Sequence, residues 1–70
     1  MFLVTATYTG ADLPCAERWF QKVTPIRPYG QKLFRGSLQY DWVTQDWETA
    51  LWLKRTCDVM PGVRASFREW

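Results

Sequence analysis

The side chains best suited to chemistry in this chain of 70 residues are two cysteines and a few carboxylates, and the chain has no histidine. General acid–base catalysis uses histidine, or a carboxylate whose pKa is raised by burial or by a like charge. Asp46 and Glu48 are two positions apart, a spacing that directs side chains to different sides of a helix. No sequence neighbour of Cys15 is suited to orient its thiol for catalysis. We therefore expect neither enzyme activity nor a cofactor.

Cys15 and Cys57 have two other possible roles, a disulfide and a metal site. Small disulfide-stabilised domains usually have four or more cysteines, so two free thiols are the expectation. A single disulfide stays open if the two predicted helices lie side by side. Zinc sites are built from Cys and His, and histidine is missing. We expect no metal site.

Protein binding is the function that the aromatic content favours, since the chain contains five tryptophans and 17% aromatic residues. Protein interfaces concentrate their binding energy in Trp, Tyr and Arg side chains. Trp47 and Trp52 are five positions apart, so in a helix they point about 140° away from each other. Trp47 and Leu51 are expected to widen the apolar stripe of this helix, whereas Trp52 lies among polar residues and is expected to face outward. The predicted protein-binding residues are Trp52, Arg55, Arg64, Arg68 and Trp70.

Single-stranded nucleic acid is the alternative ligand, because the segment "RPYGQKLFRG" interleaves basic and aromatic residues. Such strands are held by bases that stack on aromatic rings within a positive groove. Phe34 alternates to the apolar face of its strand and is expected in the core. A net charge of +2 is small for a dedicated nucleic-acid binder, so protein binding is preferred. The candidate nucleic-acid contacts are Arg27, Tyr29, Lys32 and Arg35.

The apolar periodicity predicts three strands and two helices in the order β-α-β-α-β. Alternation with a period of two predicts strands at 2–9, 32–43 and 63–70, with Gly36 as a bulge or a point of close helix approach. Amphipathic spacing predicts one helix capped by Asp12 and another capped by Thr44 or Asp46. The apolar side of the first helix contains Ala16, Trp19, Phe20 and Val23, and that of the second contains Ala50, Leu53 and Cys57. The segment 24–32 contains two prolines and a glycine, so it is predicted to be a loop.

This order predicts one small α+β domain over residues 1–70, a two-layer sandwich with both amphipathic helices on one face of a three-stranded sheet. The other face stays open and carries Arg35, Arg64, Arg68 and Trp70 among polar residues. No segment approaches the roughly 20 apolar residues of a membrane span, and no basic leader precedes the first apolar run. We expect a cytoplasmic protein with no membrane contact, and a homodimer that buries Trp52 or Trp70 is an open alternative.

The last part of the chain combines a capped helix ("TQDWETAL"), a Pro-Gly turn and an arginine-bearing strand ("PGVRASFREW") within residues 44–70. This pattern resembles that of small phage-encoded host-takeover proteins, such as the RNA polymerase inhibitors of T7-like bacteriophages. Anti-CRISPR proteins are similarly small and also act as inhibitors. The resemblance implies a non-enzymatic inhibitor that acts in the host cytoplasm by occupying a surface of a larger host or defence protein.

Overall fold

The computed structural model describes all 70 residues, which form a four-stranded antiparallel sheet and two helices. The elements are β1 (Phe2–Tyr8), α1 (Leu13–Val23), β2 (Gly30–Phe34), β3 (Ser37–Thr44), α2 (Trp47–Asp58) and β4 (Val63–Glu69). The strands lie in the order β2-β3-β1-β4. This β-α-β-β-α-β succession is the split βαβ, or ferredoxin-like, topology. The predicted α+β class is confirmed, whereas the predicted number of strands is wrong by one.

The error lies in the predicted strand at 32–43, which is a hairpin of β2 and β3. Arg35 and Gly36 form its two-residue turn, with φ angles of 51° and 79°. Positive φ at both central residues is typical of a type I′ turn, whose twist matches that of the two flanking strands. Gly36 is therefore neither a bulge nor a helix contact, and β2 begins inside the segment that was predicted to be a loop.

The hairpin also changes the face on which three side chains lie. Directly opposed residues of neighbouring strands share a face. Phe34 is opposite Ser37, so its ring lies on the open face and is 62% exposed, contrary to its predicted place in the core. Leu33 is opposite Leu38 on the helix side, at the edge of the sheet. Arg35 belongs to the turn and not to the open face of a strand.

The core lies between the helices and one face of the sheet, as predicted. Phe20 of α1 stacks on Tyr40 of β3 with ring centroids 4.7 Å apart, and Tyr40 stacks on Trp42 at 5.8 Å. The predicted helix contributions are confirmed for Ala16, Phe20, Ala50, Leu53 and Cys57, which are all buried. Trp47, by contrast, was predicted to widen the buried stripe of α2 and is 53% exposed.

Both helices begin at the predicted aspartates. Asp12 Oδ1 accepts a hydrogen bond from the Cys15 amide at 3.1 Å, and Asp46 Oδ1 accepts one from the Thr49 amide at 2.7 Å. These bonds satisfy amide groups that have no partner within the first helical turn. The caps fix where α1 and α2 start, and so they fix which side chains of each helix face the sheet. Neither helix is both long and apolar enough for a membrane crossing.

Candidate functional site

The five predicted protein-binding residues lie on two opposite sides of the molecule. Trp52 and Arg55 belong to the outer side of α2. Arg64 and Arg68 of β4 are opposite Thr7 and Leu3 of β1, on the sheet face that no helix covers. Trp70 follows the end of β4. The sequence had grouped these residues by chemical type, and their division into two surfaces follows from the predicted open face, which carries Arg64 and Arg68 in the structure as well.

The first surface, called here the α2 surface, consists of Trp47, Leu51, Trp52, Arg55 and Val59. The predicted outward position of Trp52 is confirmed, since this side chain is 47% exposed. All five residues line one open groove of about 380 Å³. On its other side, Trp52 borders a second cavity of about 250 Å³, next to the loop that follows α1. The indole of Trp52 therefore separates two depressions that apolar groups can enter.

Contacts at the rim hold the α2 surface in place. Trp47 packs edge-to-face on Phe67 of β4 with ring centroids 6.5 Å apart, and Phe67 packs on Phe2 at 6.2 Å. The only ion pair of the chain joins Lys54 and Asp58 at 2.7 Å. Arg55 is exposed and has no carboxylate at ion-pair distance, so its guanidinium is free to meet an acidic group of a partner.

The second surface is the open face of the sheet. One cross-strand row runs over all four strands, through Lys32, Gln39, Thr7 and Arg64. Neighbouring strands are about 4.8 Å apart, which puts the two cationic ends of this row about 14 Å from each other. Thus Lys32, from the predicted nucleic-acid set, and Arg64, from the predicted protein-binding set, share one surface.

The charge of the open face is dominated by cations. Lys32, Arg64 and Arg68 point to this side, and none of them has an ion-pair partner. Asp41 is its only acid, and its carboxylate accepts hydrogen bonds from Thr5 Oγ1 at 2.8 Å and from Gln39 Nε2 at 3.4 Å. The remaining acidic residues lie in helices, at their N-caps or on the helix side of β4: Asp12, Glu17, Asp46, Glu48, Asp58 and Glu69.

Aromatic rings border the open face at both ends. Tyr29, before β2, packs edge-to-face on Trp70, after β4, with ring centroids 5.1 Å apart. At the other end, the Arg35 guanidinium lies 5.2 Å from the centre of the Phe34 ring. Sequence reasoning missed Phe34 as a surface residue because the Arg35 turn was not recognised.

Arg27 is the one candidate nucleic-acid contact that lies neither on the open face nor at its border. It lines a cavity of about 380 Å³ between α1 and the following loop, which Tyr40 also borders. Tyr40 Oη and Trp42 Nε1 are buried without a hydrogen-bond partner in the protein. Burial raises the pKa of Tyr40, and the charge of Glu17 adds a smaller increase.

The two cysteines differ in their surroundings. Both cysteines are free, with Cys15 exposed and Cys57 buried, so the disulfide alternative is not realised. Burial, with a smaller contribution from Asp58, raises the pKa of the Cys57 thiol to about 11, which disfavours the thiolate that nucleophilic catalysis needs. No three His, Cys, Asp or Glu side chains are grouped so that they could hold a metal ion.

Both candidate surfaces thus consist of exposed rings and unpaired cations on a rigid two-layer frame. The α2 surface combines two indoles with apolar depressions. The open face combines three cations with aromatic borders. Comparisons of the chain with protein-family models, with curated proteins and with solved structures found no match.

Proposed function

We propose that this protein is a non-enzymatic binding module whose α2 surface docks on a larger protein. The observation that carries the proposal is the exposure of Trp47 and Trp52, which are 53% and 47% exposed and line the same groove along α2. Val59, 78% exposed, extends the same apolar strip. Contiguous apolar surface of this kind marks interaction sites on soluble proteins.

The energy available at this surface is large for so small a chain. An aromatic side chain buries about 150 to 250 Å² when it is fully covered, so covering the exposed half of one removes about 100 Å² from water. At about 25 cal/mol per Å², each indole supplies about 2.5 kcal/mol of favourable transfer energy. This agrees with the cost of about 2 kcal/mol or more that defines an interface hot spot.

The shape and charge of the surface define the partner's chemistry. The grooves on both sides of Trp52 accept apolar side chains, and the unpaired Arg55 accepts a carboxylate. Glu48 borders both grooves and disfavours a second acid there. A matching partner site therefore presents two apolar side chains, with one acidic residue on the Arg55 side.

The biological role that fits such a surface is inhibition of a larger protein by covering part of that protein's surface. A protein that blocks a larger host or defence protein needs a stable contact surface and no catalytic group. The small size of the chain and the helix-turn-strand pattern of residues 44–70 support a phage-encoded inhibitor that acts in the host cytoplasm. A second copy of the same chain is the competing occupant of the α2 surface.

The test uses the purified protein as bait in a nuclease-treated lysate, followed by an affinity measurement with the captured protein. We expect stoichiometric capture of one protein, and we expect Trp52→Ala to weaken its binding by about 30-fold, the equivalent of about 2 kcal/mol. Because Trp52 is half exposed, the melting temperature of this variant should stay close to that of the parent protein.

The matched control is Arg64→Ala, which removes an exposed side chain from the opposite layer and should leave capture unchanged. Sedimentation of the bait alone over a range of concentrations tests for a second copy. If the protein forms a dimer that Trp52→Ala dissociates, the occupant of the α2 surface is a second copy of the chain and not a foreign protein. Capture that Trp52→Ala does not weaken would show that the α2 surface is not the docking site.

A further inference from the structure

We propose that the open face of the sheet binds single-stranded nucleic acid, as a second site that is independent of the α2 surface. The structure brings together residues that are far apart in the chain: Lys32, Phe34, Arg64 and Arg68 on this face, with Tyr29 and Trp70 beyond the ends of β2 and β4. They join two of the four candidate nucleic-acid contacts to three of the five predicted protein-binding residues.

Charge complementarity identifies a polyanion as the ligand. Lys32, Arg64 and Arg68 are unpaired cations, and they occupy two edge strands of one flat surface. A phosphate backbone that crosses the sheet from β2 to β4 meets a cation at each edge. Phosphate contacts of this kind supply most of the affinity of sequence-independent binding.

The centre of the face is suited to the sugar and phosphate groups. It presents the hydroxyl groups of Thr5, Thr7 and Ser66 and the amide of Gln39. Side chains of these types are common donors to phosphate oxygens and sugars. The Asp41 carboxylate accepts hydrogen bonds from Thr5 Oγ1 and Gln39 Nε2.

The aromatic borders favour unpaired bases over a duplex. Phe34 is 62% exposed and Tyr29 is 66% exposed, and such rings bind bases that are free to stack. The two rings are separated by the length of β2, about 17 Å at about 3.3 Å per residue. Both helices lie on the other side of the sheet, so neither is placed to enter a major groove from this face.

The experiment measures fluorescence anisotropy of labelled oligouridine and oligothymidine of about ten nucleotides, and of a duplex of equal length, at several salt concentrations. We expect the single strands to bind more tightly than the duplex. With up to three phosphates neutralised, the slope of log K against log salt should be about −2, at about −0.7 for each phosphate.

The variant Arg64→Ala/Arg68→Ala should weaken binding at least tenfold at low salt and bring the slope close to −0.7. Its matched control is Arg18→Ala/Lys22→Ala, which removes the same charge from exposed positions of α1 and should leave the slope unchanged. Phe34→Leu should weaken single-strand binding severalfold with no change in slope, since it removes a stacking ring and no charge.

Three results would overturn the proposal. The first is no single-strand binding at low salt, and the second is equal loss of binding in the α1 control, which would indicate general charge attraction. The third is equally tight binding of polyglutamate that depends on Arg64 and Arg68 but not on Phe34, which would make the face a docking site for an acidic protein. Trp52→Ala should retain nucleic-acid binding, so this proposal and the α2 surface fail or succeed separately.

Discussion

Thr5 donates a hydrogen bond of 2.8 Å to Asp41 across β1 and β3, in the middle of the open face. The two residues are directly opposite each other, and Gln39 Nε2 lies 3.4 Å from both carboxylate oxygens of Asp41. The single negative charge of this surface is therefore fixed in position, between the cations of the two edge strands. Removing this charge should therefore strengthen the binding of a polyanion, which is the first prediction.

Asp41→Asn should raise the affinity for single-stranded oligonucleotides about fivefold, the equivalent of about 1 kcal/mol, because it removes a charge that repels phosphate. The amide oxygen of asparagine can still accept the hydrogen bond from Thr5. Anisotropy titration at one low salt concentration measures the effect. Glu17→Gln makes the same change of charge on α1 and should have little effect, whereas an Asp41→Asn variant that binds more weakly would contradict the assignment of this face.

Gly36→Ala should lower the free energy of unfolding by about 1 kcal/mol, because an L-residue at positive φ is strained. A Cβ at Gly36 meets no atom within 4 Å, so the cost comes from the backbone of the type I′ turn and not from a clash. Urea unfolding measures it. Gly30→Ala is the control, since Gly30 has no positive φ and its added Cβ is 3.8 Å from Asp41 Oδ2. Equal stability of the two variants would argue against the hairpin turn.

Acid should destabilise the protein in part through Asp46. Hydrogen bonds from the Thr49 side chain and from its backbone amide lower the pKa of Asp46 below its usual value. A group whose pKa is lower in the folded state stabilises the fold above its unfolded pKa of about 3.9. That contribution is lost as the pH falls through the folded value.

Thermal melts between pH 7 and pH 2 should therefore show a smaller loss of melting temperature below pH 4 for Asp46→Asn than for the parent protein. Asparagine retains the N-cap but does not titrate in this range. Asp46→Ala removes the cap and should be less stable at every pH. Parallel melting curves for the parent and Asp46→Asn would show that this cap does not contribute to acid sensitivity.

The two thiols should react very differently with an alkylating reagent. At pH 8 the native protein should take up one label, on the exposed Cys15, and a second only after unfolding. Cys57 is buried and its pKa is raised to about 11, so its thiolate is both rare and inaccessible. Mass spectrometry counts the labels. Rapid labelling of native Cys15→Ser would mean that α2 separates readily from the sheet.

Tyr40→Phe should increase stability slightly, by about 1 kcal/mol. Tyr40 Oη is buried without a partner in the protein, and an unpaired buried hydroxyl costs about 1 to 3 kcal/mol. The ring, which stacks on Phe20, is unchanged by the substitution. Urea unfolding gives the difference. A loss of stability would show that a bound water satisfies this hydroxyl in solution.

The helices were predictable from the sequence because their caps and apolar spacing are local signals. Asp12 and Asp46 are N-caps, and Phe20 and Leu53 face the core, as the periodicity indicates. The hairpin was not predictable in this way, because type I′ turns usually contain Asn-Gly or Asp-Gly, and an arginine at positive φ has no such signature. The misplaced Phe34 follows directly from that turn.

The candidate site was predictable only in its parts. The position of Trp52 on the polar side of α2 followed from about 100° of rotation per residue. The sequence could not predict that Lys32 and Arg64 lie on the same surface, because this depends on the strand order β2-β3-β1-β4, which no local pattern encodes. Arg55 and Arg64, which the sequence had placed in one set, lie on opposite sides because α2 covers one face of the sheet and Arg64 points to the other.

The uneven distribution of acids and bases between the two layers gives the molecule an electrical polarity. Near a polyanion, such an object experiences a torque that turns its sheet forward before any contact is made, within the roughly 8 to 10 Å over which charges act at physiological salt. The tryptophan side chains of α2 then lie on the side of the molecule that faces away from the polyanion. Under the two proposals above, a molecule bound through its open face leaves the α2 surface uncovered, so both partners can be bound at the same time.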